Sequence, residues 1–290
     1  MDTRPADTAV GAVVALKPIE LAKSRLRGVP DPVRRRLAWT MAVDTLRALA
    51  AATDRLLVVS DEPSLEARLR HALSRAPGQS TETAPVTVLA EPGPVGMNGA
   101  LRYGSERLAA LGYASVLACV GDLPALRLES LHRVLDASRA FPRSFVADAS
   151  GVGTTMLIAH GTALEPHFQG PSAAAHRRSG ARDLDAGQLG SVPDARRDVD
   201  TETDLTAAFH LGLAAATALL LDPETGALGR YDVITVADQR HPSGDQLAMT
   251  STGHRIRLPG LAIADAFREV RAGQRLHAVT TKDRVLAAWL

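Results

Sequence analysis

From Val10 to Leu221 the chain alternates short apolar runs of β-forming residues with longer stretches of helical spacing. Strands buried on both faces read as unbroken apolar runs, and parallel strands need a crossover between them. The alternation therefore prescribes βαβ units around a mostly parallel sheet with helices on both faces. Strands are expected at Val10 to Leu16, Leu56 to Val59, Val86 to Leu89 and Ser115 to Val120. Two shorter ones, Ser144 to Ala147 and Thr155 to Ala159, flank the Gly-rich turn Asp148 to Gly153. A long helix opens at Pro32, where Leu37, Met41, Leu46 and Leu49 keep helical spacing, and others are expected over Ser64 to Leu73, Asn98 to Leu111 and Leu128 to Ala140. Two more begin near Ser172 and at Asp200-Thr201-Glu202, the second capped by Thr201 and running to Leu221.

The pattern changes at the turn cluster Asp222-Pro-Glu-Thr-Gly226. Beyond it come short β-like pieces at Tyr231 to Val236, Arg255 to Leu258, Arg275 to Val279 and Arg284 to Trp289, with one helical pattern over Leu261 to Val270. The expected organisation is a large α/β domain over 1–221 and a small β-rich barrel over 222–290.

Composition narrows the function classes. Aromatic residues make up 3% of the chain, so the core must be built from Ala, Leu and Val, and a stacking platform for single-stranded nucleic acid is not expected. Lys plus Arg number 33 against 32 Asp plus Glu, which leaves no bulk field to gather nucleic acid or an anionic membrane. Any anion must be met by a local site. The single cysteine, Cys119, excludes a disulfide framework and multi-cysteine zinc sites, and fits a reducing cytoplasm. Asp2 and Asp7, with no long apolar run before Lys17, argue against a secretory signal. The apolar window Leu205 to Leu221 is interrupted by His210, Gly212 and Thr217, and reads as a buried helix rather than a membrane span.

Several segments can carry chemistry, each with a bland alternative. The loop after the first strand holds Lys17, Lys23, Ser24 and Arg25, where charge-assisted hydrogen bonds could clamp phosphates, although it lacks P-loop glycine spacing and could be surface charge. Asp122, in Gly121-Asp-Leu-Pro after a central strand, could hold Mg²⁺ or simply cap the turn. Asp198 and Asp200 are two apart, so an extended segment would turn both carboxylates toward the same metal; alternatively they are acids favoured at a helix start. Glu91 to Ala100 supplies glycines for close backbone approach and Asn98 for a base or ribose. The Asp148 to Thr155 turn offers amides and the hydroxyls of Thr154 and Thr155 to an anion, or is a plain hairpin. Of the nine histidines, His176 alone is placed near a site, and Cys119 reads as an inert core thiol.

Taken in order, Val14-Ala-Leu-Lys-Pro with Ala22-Lys-Ser-Arg-Leu26, Val59-Ser-Asp61, Gly121-Asp-Leu-Pro-Ala-Leu126, Gly151-Val-Gly-Thr-Thr155, Ser172-Ala-Ala-Ala-His176 and Arg197-Asp-Val-Asp-Thr201 resemble one family. It is that of the phosphoenolpyruvate or 2-phospho-L-lactate guanylyltransferases of deazaflavin coenzyme (factor 420) synthesis, relatives of the molybdenum-cofactor guanylyltransferases. The resemblance implies a Rossmann-like, GT-A-like nucleotidyltransferase fold that uses Mg²⁺ to transfer GMP from GTP to a three-carbon phospho-acid. By position it places Lys17, Lys23, Ser24, Arg25, Ser60, Glu91, Asn98 and Gly121 on the nucleotide, with Lys17, Lys23, Arg25 and Asp122 in the catalytic set. It places Asp122, Asp198 and Asp200 on the metal, and Thr154, Thr155, Gln169, Gly170 and Ser172 on the acceptor. Where the family tends to read Phe-Gly-Pro-Gly-Ser, this chain has Phe168-Gln-Gly-Pro-Ser172, so the departure falls on Gln169 and Gly170.

The tail from Asp222 faintly resembles a cold-shock-type OB barrel, but lacks interleaved aromatics for bases and is expected to be structural or a homodimer contact. Expected partners are GTP, phosphoenolpyruvate or 2-phospholactate, and a downstream transferase that takes the product. The alternatives are a nucleotidyltransferase for molybdopterin or a sugar phosphate, and a catalytically silent GTP-binding protein.

Overall fold

The computed structural model describes residues 8–74, 83–263 and 270–290. A seven-stranded sheet is built from β1 (Val10–Ala15), β2 (Arg55–Val59), β3 (Val86–Leu89), β4 (Ser115–Cys119), β5 (Arg143–Ala147), β6 (Thr154–His160) and β7 (Arg182–Asp183), in the order β3-β2-β1-β4-β6-β5-β7. β3, β2, β1 and β4 run parallel, and β6 runs against its neighbours β4 and β5. The β5–β6 pair makes the Asp148 to Thr155 segment a hairpin turn, the plainer of its two readings.

Helices cover both faces because the strands are apolar on both. Val10, Ala12 and Val14 of β1 and Leu56 and Val58 of β2 face α1 (Asp31–Ala52), α2 (Leu65–Ser74) and α4 (Leu128–Ser138) through Trp39, Leu46, Leu69 and Leu131. The alternate residues, Val13, Leu57 and Val59, face α3 (Gly96–Ala110) through Ala100, Leu101 and Leu108. A Cβ on Gly104 would sit 2.3 Å from Val13 Cγ2, so glycine is what lets α3 lie close on β1.

After α5 (Ser172–Arg178) come the short α6 (Ala186–Leu189) and α7 (Pro193–Arg196), then α8 (Glu202–Leu211) and α9 (Ala215–Ala218). Thr201 caps α8 as expected, in a capping box with Asp204. The helix does not continue to Leu221: Gly212 stands at φ +91, outside helical geometry, and breaks the run into two. Buried Asp44 of α1 then accepts the backbone N–H groups of Thr217 (2.7 Å) and Ala216 (3.1 Å), which fixes α9.

The chain's last part forms a second, antiparallel sheet from β8 (Arg230–Arg240), β9 (Gln246–Met249), β10 (Arg255–Leu258), β11 (Arg275–Thr280) and β12 (Val285–Trp289), in the order β10-β9-β8-β11-β12. β9 was not legible as a strand. The sheet curls into a half-barrel, with bridges from Arg257 to Arg284 and from Ile263 to Ala288 drawing its two edges together. Of the helix expected over Leu261 to Val270, 264–269 lie outside the described residues, and Gly260–Ala262 is a short 3-10 turn. Val279, Leu286 and Ala287 pack with Leu26, Leu37, Met41 and Leu205, so the two sheets share part of one core. Among the described residues no helix is long and apolar enough to cross a membrane.

Candidate functional site

Strand order reverses between β1 and β4, and a crevice opens beyond their carboxyl ends, as open α/β sheets dictate. It forms a cavity of about 1220 Å³. One wall is the loop after β1. Arg34 of α1 donates to the Glu20 carbonyl (3.2 Å) and to the Ala22 carbonyl, while Ile19 N–H donates to Glu62 Oε2 (3.1 Å). Held this way, the loop carries Lys23 at φ +60, a left-handed conformation uncommon outside glycine and asparagine.

The Lys23 side chain is 9% exposed and turns inward, where its ammonium is bonded to Asp122 and lies 3.1 Å from Asp200 Oδ1. Burial alone would lower its pKa. The Asp122 and Asp200 charges and their hydrogen bonds outweigh that and raise it, so Lys23 is a cation. Arg25, outside, reaches Asp200 Oδ2 at 3.0 Å.

The carboxylates are brought together by backbone. Gly121 admits the Leu16 side chain, whose Cδ2 lies 2.5 Å from where a Cβ would be. Thr45 of α1 accepts Leu123 N–H (2.9 Å), and Val199 N–H donates to the Asp122 carbonyl (3.2 Å). Val199 points into the core, so Asp198 and Asp200 on either side of it face the cavity. Burial, then the charges of Asp122, Asp200 and Asp148, push Asp198 up to about 7. Asp122 Oδ1 is buried without a hydrogen-bond partner. As the side chains stand, no three His, Cys, Asp or Glu among the described residues form a ready ligand set for a metal ion.

The opposite wall is the β5–β6 turn with the segment before α5. Asp148 accepts Val152 N–H (3.0 Å) and the Ser150 hydroxyl (2.9 Å), and Ala173 N–H donates to the Val152 carbonyl (3.1 Å), which ties the turn to α5. Gln169 and Gly170 both have positive φ, +88 and +57. The Asn98 amide holds the residue before them at both ends, accepting Phe168 N–H (2.7 Å) and donating to its carbonyl (2.9 Å). At the far end, beyond β2 and β3, desolvation and the neighbouring Asp61 charge raise the Glu91 carboxyl above its ordinary value.

The cavity thus collects Lys17, Lys23, Ser24, Arg25, Glu91, Gly121, Asp122, Thr154, Gln169, Gly170, Ser172, Asp198 and Asp200. Three expected residues lie off its lining. Asn98 is spent on Phe168; Thr155 points to the other face of β6 and donates to the Ala195 carbonyl (2.7 Å); Ser60 is buried and accepts Glu62 N–H (3.3 Å). Asp61 and Asp148, given no role from sequence, line the cavity instead. Their position, first residue or two past a strand end, is the signal that could have marked them.

No protein-family model matches the chain. Curated relatives do. A phosphoenolpyruvate guanylyltransferase of Streptomyces scabiei is 45% identical over 220 residues, covering 73% of this chain and 97% of the relative. That of Salinispora arenicola is 41% identical over 226 residues, 75% of this chain and 96% of the relative. Such coverage leaves about a quarter of this chain, roughly the size of the second sheet with its connections, without a counterpart in them. Among solved structures, a nucleotidyl transferase from Methanothermobacter thermautotroptrophicus is 19% identical with a TM-score of 0.44, covering 70% of this chain and 97% of that one, a likeness too low to carry an assignment. On the strength of its curated relatives, the chain belongs to the phosphoenolpyruvate guanylyltransferase family.

Proposed function

We propose that the protein transfers GMP from GTP to the phosphate of phosphoenolpyruvate and releases pyrophosphate. The observation that carries the reading is the succession of surfaces in one cavity: a basic loop, a cluster of carboxylates, and a wall of hydroxyls and glycines. A triphosphate suits Lys17, Lys23 and Arg25. Guanine presents adjacent N–H donors at N1 and N2, which the Asp61 and Glu91 carboxylates can accept at the far end. The acceptor acid suits Thr154, Gln169, Gly170 and Ser172.

An acceptor phosphate oxygen attacks the α-phosphorus in line. A new P–O bond forms, the bond to the β-bridging oxygen breaks, and its electron pair leaves with pyrophosphate. Two anions must approach each other, so the task of the chain is to screen and position them. Lys23 offsets part of the charge of Asp122 and Asp200, which eases the approach of a triphosphate to the carboxylates.

Mg²⁺ fits this donor set. The ligands are all oxygen, Asp122 Oδ1 is buried and unpaired, and burial together with the charges of Asp122, Asp200 and Asp148 pushes Asp198 up, so the cluster gathers more carboxylates than Lys23 alone balances. Asp122, Asp198 and Asp200 would hold the ion, which supplies charge neutralisation at the transferring phosphate.

Phosphoenolpyruvate is preferred to 2-phospho-L-lactate because the curated relatives are named for it. Deazaflavin synthesis and a downstream transferase that takes the product rest on the sequence resemblance, and a homodimer is tested by mass in solution. Pyrophosphate release that requires both GTP and phosphoenolpyruvate supports the proposal; GTP binding without release overturns it.

A further inference from the structure

His176 is fully buried behind the wall that carries Thr154, among the rings of Phe145, His167 and Phe168. Two contacts of its ring bear on this wall: Nε2 lies 2.9 Å from the His167 backbone nitrogen, and Nδ1 lies 3.0 Å from Thr154 Oγ1. We propose that His176 is a positioning residue that aims the Thr154 hydroxyl hydrogen into the cavity, toward an anionic oxygen of the acceptor. The inference rests on the reading of this wall as the acceptor side.

The two partners fix the tautomer of the ring. A backbone N–H can only donate, so Nε2 must keep its lone pair and carry no hydrogen. Burial, then the His167 and Arg143 charges, lower the pKa of His176 to about 4, against a smaller opposing pull from the Ser172 backbone, so the ring is neutral. Its one hydrogen therefore sits on Nδ1 and donates to Thr154 Oγ1. A threonine hydroxyl has one hydrogen of its own, and this bond uses a lone pair rather than that hydrogen. Thr154 lines the cavity, and among the described residues its hydroxyl makes no second hydrogen bond. The hydrogen is left for the ligand. With the opposite tautomer, Thr154 would donate to the ring and present only a lone pair to an anion, which repels.

The same imidazole acts on the neighbouring segment. By accepting His167 N–H it fixes the chain one residue before Phe168, which the Asn98 amide holds, and the left-handed pair Gln169-Gly170 follows directly. A histidine buried for packing alone would give no reason for this division of its two nitrogens.

Two measurements on the full-length protein test the proposal. In the first, ¹⁵N chemical shifts of the histidine-labelled protein at pH 7 are expected to show His176 neutral with hydrogen on Nδ1. The second compares KM for phosphoenolpyruvate and for GTP in T154V, T154S, H176Q and the double variant T154V/H176Q. Gln can replace Nε2 at the His167 amide but does not reach Thr154, so H176Q tests the hydroxyl and spares the loop. Each of T154V and H176Q should raise the acceptor KM about 5- to 20-fold, the scale of one lost hydrogen bond, with the GTP KM within about 2-fold. The double variant should be no worse than T154V, and T154S should stay near wild type. An Nε2–H tautomer, equal effects on both substrates, or multiplying effects in the double variant would overturn the role of His176 while wild-type turnover stands. Absence of any acceptor-dependent release by the wild type would instead overturn the functional reading on which the role rests.

Discussion

The Lys23 ammonium is bonded to the Asp122 carboxylate, joining the loop after β1 to the turn after β4 across the crevice. It reaches Asp200 as well, so one buried cation serves a cluster that also contains Asp198 and Asp148. Removing one member of a buried pair leaves the other charge uncompensated, a larger penalty than the net worth of the pair. Lys23→Met should therefore destabilise the ligand-free protein by about 1–3 kcal/mol, discounted for the exposure of Asp200, as read by urea unfolding at pH 8. It should also lower kcat/KM at least about 100-fold, the scale for losing one charge-stabilising donor. Unchanged stability would mean that the ammonium adds nothing to holding the carboxylates together.

His176 makes stability depend on pH. Its folded pKa is lowered from 6.5 to about 4 by burial among Phe145 and Phe168 and by the His167 and Arg143 charges. Between those values the unfolded chain takes up a proton that the folded one refuses. The contribution is full above pH 6.5 and is lost as pH falls toward 4. The stability gap between wild type and H176Q should narrow by on the order of 2 kcal/mol from pH 7.5 to 4.5. A gap independent of pH would show that the imidazole titrates alike in both states.

Gln169 stands at φ +88 where the resembling family has glycine, so it bears backbone strain that a glycine would not. Gln169→Gly should raise stability by about 0.5–1 kcal/mol in thermal unfolding. An unchanged acceptor KM would assign acceptor recognition there to backbone amides, and a raised one to the Gln169 side chain.

The second sheet contributes Leu286 to the core it shares with Leu37 and Met41. Leu286→Ala should cost about 2–3 kcal/mol, the usual range for a core truncation, while leaving turnover at low temperature unaltered because the residue lies off the cavity. Loss of turnover in the folded variant would give the sheet a part in catalysis.

Which of these features sequence could reveal follows a physical divide. Lys17 and Asp122 were legible because they sit just past apolar runs, and parallel strands deliver such positions to one crevice, while Asp200 was legible from its two-residue spacing to Asp198. Thr154 and Thr155 were not separable by composition, yet adjacent strand residues point to opposite faces, and Thr155 bonds the Ala195 carbonyl away from the site. Asn98 looked like a base reader but satisfies both backbone groups of Phe168, a partner 70 residues away that no local pattern discloses. Gly212 interrupts the apolar window in the sequence, but helical periodicity tolerates an isolated glycine, so its φ of +91 and the break it makes after α8 did not show in the pattern. The β5–β6 hairpin was visible in its glycines, whereas β9 was too short and too mixed to register.

The central claim is tested most directly by phosphorus NMR of the purified protein with GTP, Mg²⁺ and phosphoenolpyruvate, alongside ATP and CTP as donors and 2-phospho-L-lactate and 3-phosphoglycerate as acceptors. The account predicts pyrophosphate together with a new diphosphate diester, formed fastest from GTP and phosphoenolpyruvate and lost in Asp122→Ala. Release that needs no acceptor, a preference for ATP or CTP, or near-wild-type turnover by Asp122→Ala would contradict it.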